Sequence, residues 1–189
     1  MKVLLFSCSP RKGNSETIVL TLSKMLNKKK VQTEIVLLRE KNIKRCNGCI
    51  EFCNKNKYCH IKDDMPDLIV KLKEYDNYVF VSPNYFNMPP GIFKDFIDRT
   101  SMLWDLGTLK KKRASVIVVG ADEPKGSIPC RDNIVDNFCK IHSMKIVAKK
   151  CFKTNSELKG NYNDIFENNY NKNVKKELEK IVEEIIKSN

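Results

Sequence analysis

The chain has 189 residues, 41% of them hydrophobic and 31% charged, with a formal net charge of +12. That length suits a single domain spanning residues 1–189 with a core of its own. No apolar run is long enough to span a membrane. The N-terminal apolar stretch is too short, and too soon followed by charge, for a secretory signal. A cytoplasmic protein with no membrane partner is expected. The positive charge admits either nucleic-acid binding or a lysine-rich surface on a protein that handles anionic small molecules. The lysines are scattered, with short runs at Lys28–Lys30 and Lys110–Arg113, and neither an RNA-binding aromatic signature nor zinc-finger spacing occurs. No nucleic-acid partner is expected.

In chain order, residues 2–8 read as a buried strand, and apolar residues at helical spacing follow over 17–26 (Ile18, Val19, Leu22, Met25, Leu26). A second strand covers 33–38. A cysteine-rich insertion occupies 44–62, followed by a helix over 65–75 with Asp63 or Asp64 as N-cap and Pro66 in its first turn. Strands at 77–82, 114–120 and 145–152 alternate with helices at 91–102, 132–142 and 173–187. An Asn-rich, loop-like stretch covers 161–173. The strands are nearly continuous Val, Ile, Leu and Phe, as in a parallel sheet covered on both faces. The expected fold is α/β, a doubly wound five-stranded parallel sheet with helices on both faces. Ligands of such sheets bind beyond the C-terminal strand ends, near the switch in strand order.

The loops at those ends are therefore the informative ones. After the first strand, "SCSPRKGNSET" sets Ser9, Asn14, Ser15 and Thr17 with Arg11 and Lys12 between a strand and a helix N-terminus. Unpaired N–H groups and the helix dipole favour an anion there. The turn is neither a Walker loop nor a Gly-rich dinucleotide turn, and its hydroxyls suit a stable monophosphate. Solvated capping of the helix is the plainer alternative. After the third strand, Pro83, Pro89 and Pro90 stiffen a loop carrying Asn84, Tyr85, Phe86 and Asn87. Rigid backbone, rings and amides suit a flat heteroaromatic ligand, unless the rings cap the core. After the fourth strand, Gly120 and Ala121 are small enough for close backbone approach, or simply form a strand exit.

"SPRKGNS" after the first strand, together with "SPNYFNMPPGIFKDFIDR" after the third, resembles the NADPH-dependent FMN reductase family of flavodoxin-like proteins. The resemblance implies FMN, with its phosphate on Ser9, Arg11, Lys12, Asn14, Ser15 and Thr17 and its isoalloxazine on Pro83, Asn84, Tyr85, Phe86 and Asn87, Gly120 lying at the ring's rim. It implies NAD(P)H as electron donor, no side-chain catalyst, and a quinone, nitro compound, flavin or redox carrier protein as acceptor. It also implies a homo-oligomer, with Trp104 and Leu106 as an apolar patch beside the site; packing of Trp104 in its own core is the alternative. A flavodoxin-like electron carrier without reductase turnover remains open, although flavodoxins are usually acidic and this chain is basic.

Of eight cysteines, four crowd into Cys46, Cys49, Cys53 and Cys59, spaced C-x2-C-x3-C-x5-C. Without a secretion signal, such clustering points to metal or redox chemistry. The stretch resembles the cysteine motif of iron–sulfur flavoproteins, a branch of the same family, which has two residues between its second and third cysteines where this chain has three, Ile50, Glu51 and Phe52. The resemblance implies a [4Fe–4S] cluster on the four thiolates. Structural thiols, a reactive dithiol of Cys46 and Cys49, and zinc are the alternatives. His60 is expected to be a loop residue.

Overall fold

The strands form where apolar side chains run without a break: β1 (Lys2–Ser7), β2 (Gln32–Leu37), β3 (Asn77–Pro83), β4 (Arg113–Gly120) and β5 (Lys145–Lys153). In the computed structural model, which describes residues 1–121, 123–154, 163–167 and 173–188, they pair in parallel in the order β2-β1-β3-β4-β5. This is the flavodoxin-like order, with its switch between β1 and β3. Around the sheet lie α1 (Asn14–Lys28), α2 (Ile50–Asn56), α3 (Met65–Glu74), α4 (Gly91–Asp98), α5 (Ser101–Asp105), α6 (Ile128–Ile134) and α7 (Val174–Lys187). No helix among the described residues is long and apolar enough to cross a membrane.

Successive strand residues point to opposite faces, so each strand feeds two cores. Val3, Leu5, Val79, Val81, Ile117 and Val119 pack on α1 and α7. Leu4, Phe6, Tyr78, Phe80, Val116 and Val118 pack on the side of α3, α4, α5 and α6. That second core is aromatic: the Phe6 and Phe80 rings stack at 5.1 Å, and Phe138 meets Phe80 edge-on at 5.4 Å, the offset and edge geometries that ring quadrupoles favour.

The structure departs from the sequence expectation at three helices. The helix expected over 91–102 is two, α4 and α5. Arg99 turns inward at the end of α4, and the Thr100 hydroxyl donates to the Ile97 carbonyl at 2.7 Å, taking the bond that would have continued the helix. The helix expected over 132–142 starts earlier, with Pro129 in its first turn, and continues from α6 into a π-helical turn, Val135–Cys139, in which the Lys140 N–H reaches the Val135 carbonyl at 2.8 Å. At α3, Asp64 holds the N-cap position, but it is the Asp63 carboxylate that accepts the Met65 N–H, at 3.0 Å. The far end of α3 is closed by Lys112, whose ammonium donates to the carbonyls of Leu72, Lys73 and Tyr75 at 3.0, 2.8 and 2.6 Å. Burial holds this lysine's pKa below its ordinary value. Trp104 is 59% exposed and Leu106 47%, so the reading of Trp104 as a core residue is corrected.

His142 is buried with its Nε2 3.1 Å from Thr100 Oγ1. Because the Thr100 hydroxyl is spent on Ile97, Nε2 carries the ring proton and Nδ1 is left buried without a partner. Burial lowers the pKa from 6.5 to about 4. Between those values the unfolded chain binds a proton that the folded chain does not, so stability falls as pH drops through the window. Thermal melts from pH 6.5 to about 4 are expected to show a declining Tm in the parent protein and a flatter profile in His142→Gln. An equally steep decline in both would assign the pH dependence to other groups.

Candidate functional site

Three loops are brought together because the backbone ladder runs past the strand ends. The Cys8 N–H donates to Val81, the Asn84 N–H to Val119 and the Thr154 N–H to Gly120, at 2.8, 2.8 and 2.7 Å. The segments after β1, β3 and β5 therefore leave the sheet along its C-terminal edge, the first two beside the switch in strand order.

In the turn after β1, Ser9 is buried and its Oγ accepts the Arg11 N–H at 3.2 Å, while the Arg11 and Lys12 side chains are exposed. Helix α1 begins at Asn14 with Gly13 as N-cap and no side-chain cap. Its first-turn N–H groups lie next to two buried serines, Ser9 and Ser15, and two cations, a donor set that fits a phosphate. None of the hydroxyls serves as the helix cap, so the plainer capping alternative does not describe this turn. The carboxylate that could repel an anion, Glu16, is held by Arg39 through bonds of 2.8 and 3.3 Å. Asn14 and Thr17 are differently employed than expected. The Asn14 amide donates to Asp164 Oδ1 at 2.7 Å and accepts the Ile165 N–H at 2.9 Å, and the Thr17 hydroxyl meets the Gly13 carbonyl and the Asn163 side chain. Both residues fasten segment 163–165 to the turn. Of the Asn-rich stretch, residues 161–162 and 168–172 lie outside the described residues.

After β3, Tyr85 and Met88 exchange two backbone bonds of 3.0 Å around Phe86 and Asn87, whose φ values are 51° and 64°. Two left-handed residues in a two-residue turn suit its twist. Asn tolerates the conformation, but for Phe it is strained. The Phe86 ring is wholly exposed and Tyr85 partly so, which removes the reading of these rings as core caps. Asn84 Nδ2 lies 3.4 Å from both the Gly126 carbonyl and Ser127 Oγ, while its Oδ1 is buried with no partner. A buried amide oxygen without a donor is costly, and it fits a ligand that brings an N–H. Gly120 does not leave open space for a ring: a Cβ there would stand 2.3 Å from Ser127 Oγ and 3.2 Å from Asn84 Cβ. Its smallness admits Ser127 against the strand end.

The cysteine insertion contains α2. The three residues between Cys49 and Cys53 put both thiols on one helical turn, with the Cys53 N–H bonded to the Cys49 carbonyl at 3.1 Å and the sulfurs 3.9 Å apart. Burial, then Cys49, then Cys59 and Cys46 push the Cys53 thiol up to about 11. All four thiols are free, and Cys53 feels the other three. Among the described residues no group of three or more His, Cys, Asp or Glu side chains is arranged to hold a metal ion. Four free thiols on one insertion are the donor type that iron–sulfur clusters and structural zinc sites take. His60 Nδ1 lies 3.7 Å from Cys49 Sγ, and its ring meets Phe52 edge-on at 4.8 Å. At the neck of this insertion, Arg99 and Asp63 form a bidentate pair at 2.7 and 3.1 Å, both side chains sealed from solvent.

Sequence reading took Asp63 only as a candidate helix cap and 163–165 only as part of a loop, and it did not single out Arg99 or Ser127. Arg99 ends the quoted stretch "SPNYFNMPPGIFKDFIDR" and Asp63 closely follows the cysteine insertion, and opposite charges at the edges of two motifs are a pairing signal. Nothing local marks the others.

The chain matches the family model for NADPH-dependent FMN reductase over residues 1–157. An iron–sulfur flavoprotein of Methanocaldococcus jannaschii is 32% identical over 149 residues, 78% of this chain and 76% of that protein. Among solved structures, a flavoenzyme NAD(P)H:(acceptor) oxidoreductase from Paracoccus denitrificans superposes with a TM-score of 0.67 at 15% identity, over 98% of this chain and 95% of that one. A flavodoxin from the domain Archaea superposes with a TM-score of 0.59 at 12% identity, over 100% and 99%. These two structural likenesses carry the fold alone.

The Asn14 latch can be tested without any ligand. Asn14→Ala leaves the buried Ile165 N–H without its acceptor, at an expected cost of about 1–3 kcal/mol. Thermal unfolding should show the loss, and hydrogen exchange should speed up at Ile165. Unchanged exchange there would mean that the segment is held by other contacts.

Proposed function

The chain belongs to the NADPH-dependent FMN reductase family, and from that premise we propose that it binds FMN across the turn after β1 and the loop after β3, oxidises NAD(P)H, and delivers the electrons to a quinone, nitro compound, flavin or redox carrier protein. One observation carries this reading: an uncapped helix N-terminus between two buried serines opens beside a buried Asn84 oxygen that lacks a donor. When bound, FMN supplies hydride acceptance at its ring and onward electron transfer. The α1 N–H groups, Ser9, Ser15, Arg11 and Lys12 hold the phosphate. Asn84 Oδ1 accepts a ring N–H, and the Tyr85–Phe86 turn covers a ring face.

The four cysteines are proposed to hold a [4Fe–4S] cluster, supported by the free thiols gathered on one insertion and by the iron–sulfur flavoprotein relative. Such a cluster supplies one-electron transfer. The exposed Trp104, Leu106 and Phe86 favour a homo-oligomer, since large exposed apolar groups near a site mark contact surfaces.

Three measurements test these readings. In FMN titrations, Arg11→Ala is expected to weaken binding by roughly ten- to a hundredfold, the equivalent of a charge-assisted contact of about 1.5–3 kcal/mol; Ser9→Ala should weaken it too. Unchanged affinity in both variants would remove the phosphate assignment. Steady-state NAD(P)H oxidation with a quinone acceptor separates a reductase from an electron carrier, which would show negligible turnover. Anaerobically reconstituted protein should contain iron and acid-labile sulfide, and a Ser in place of any one of Cys46, Cys49, Cys53 or Cys59 should deplete both while FMN stays bound. Iron and sulfide near zero in the parent protein would leave the cysteines as thiols.

A further inference from the structure

Arg99 is a cation with 1% of its side chain exposed, and the carboxylate facing it, Asp63, is fully sealed. Its guanidinium donates through Nη1 to Asp63 Oδ2 and the Lys44 carbonyl, both at 2.7 Å, and through Nη2 to Asp63 Oδ1 at 3.1 Å and the Ile61 carbonyl at 3.5 Å. Lys44 stands two residues before Cys46 and Ile61 two residues after Cys59. The guanidinium therefore lies across the neck of the insertion, bonded to the segments just outside the first and last of the four cysteines, and its Nε has no hydrogen-bond partner.

Burial works against this charge, but the Asp63 carboxylate and the Cys59 sulfur outweigh it and hold Arg99 above its ordinary pKa. Asp63 is held low for the complementary reason: against its burial it accepts from Arg99 and from the N–H groups of Lys44 and Met65. A buried ion pair is no better a fastener than apolar residues of the same volume, so closing the neck does not by itself call for a charge. Other ion pairs near the insertion, Arg45 with Asp95 at 3.3 Å and Lys57 with Asp105 at 3.0 Å, include well-exposed lysine and arginine side chains and are screened by water. Arg99, by contrast, is a buried positive charge held at the neck of the thiol loop.

We infer that Arg99 is a positioning residue for the redox group of the cysteine insertion: its buried charge at the Cys59 end favours the form with the extra electron, and its bonds to Lys44 and Ile61 set the separation of Cys46 and Cys59. This rests on the cluster reading above. Reduction adds one electron to a group already anionic through its thiolates, with no bond made or broken at Arg99. A fixed cation in a low-dielectric setting stabilises that added charge, and the Asp63 carboxylate opposes it.

The test is a redox titration of the reconstituted protein, followed by electron paramagnetic resonance, after iron and sulfide have been measured. Arg99→Gln is expected to lower the midpoint potential, Asp63→Asn to raise it, and Arg99→Lys to stay near the parent value. A merely structural neck would lower the melting temperature in all three without moving the potential in opposite directions. If Arg99→Gln fails to fold, Asp63→Asn alone carries the test, because an asparagine keeps the shape of the side chain and one acceptor oxygen, which serves the N–H of either Lys44 or Met65. Full iron with an unmoved or lowered potential in Asp63→Asn overturns the inference and leaves the cluster standing. Iron near zero in the parent protein overturns both.

Discussion

A guanidinium sealed from water must be neutralised where it stands, and the contact between Arg99 and Asp63 does this at the junction of four elements. To reach Asp63, Arg99 turns in from the end of α4, and the chain restarts as α5. To receive it, Asp63 stands just ahead of α3, where its carboxylate also takes the Met65 N–H. The same guanidinium binds carbonyls on both arms of the cysteine insertion. Breaking a buried pair by removing one partner typically costs about 3–5 kcal/mol, a large share of the roughly 5–15 kcal/mol that keeps a domain folded. The termini of α3 and α4 and the neck of the insertion therefore stand or fall together.

Elsewhere the backbone polar groups are met by ordinary means. Lys112 and the Tyr78 hydroxyl satisfy the last carbonyls around α3, and Glu16 and Arg39 neutralise each other beside the first turn of α1. Buried polar atoms without a partner also occur at Arg99 Nε, Ser115 Oγ and His142 Nδ1. On the loop after β3, at the C-terminal edge of the sheet, two departures stand together: Phe86 adopts a left-handed conformation, and Asn84 Oδ1 is buried without a donor. Natural chains depart from local rules at functional sites and compensate elsewhere. Two such departures within three residues of one loop are physically more telling than either alone.

The thiol spacing has a similar logic. With one more residue between the second and third cysteines than in the related motif, Cys49 and Cys53 become neighbours on a single helical turn. The added residue is absorbed as helix, so the thiols stay together. Cys53 is buried and Cys49 half-exposed, which gives the pair one face toward the core and one toward solvent.

How much of this is legible in the sequence depends on the range of the interaction. Burial of apolar residues follows a period of two or 3.6 along the chain, so the five strands, α1, α3 and α7 could be read directly, as could the loops that leave the strand ends. The split of the helix at Arg99 could not be read this way, because it answers a carboxylate 36 residues away. The diversion of Asn14 from phosphate binding answers Asp164, 150 residues on. The need for a glycine at 120 answers Ser127, seven residues on, whose Oγ would stand 2.3 Å from a Cβ there. The sequence by itself determined the layers and the donor types offered at the sheet's C-terminal edge. Only the tertiary structure decided which donors remain open, since a hydrogen bond is directional and short, and its partner is chosen by the packed fold rather than by the neighbouring residues.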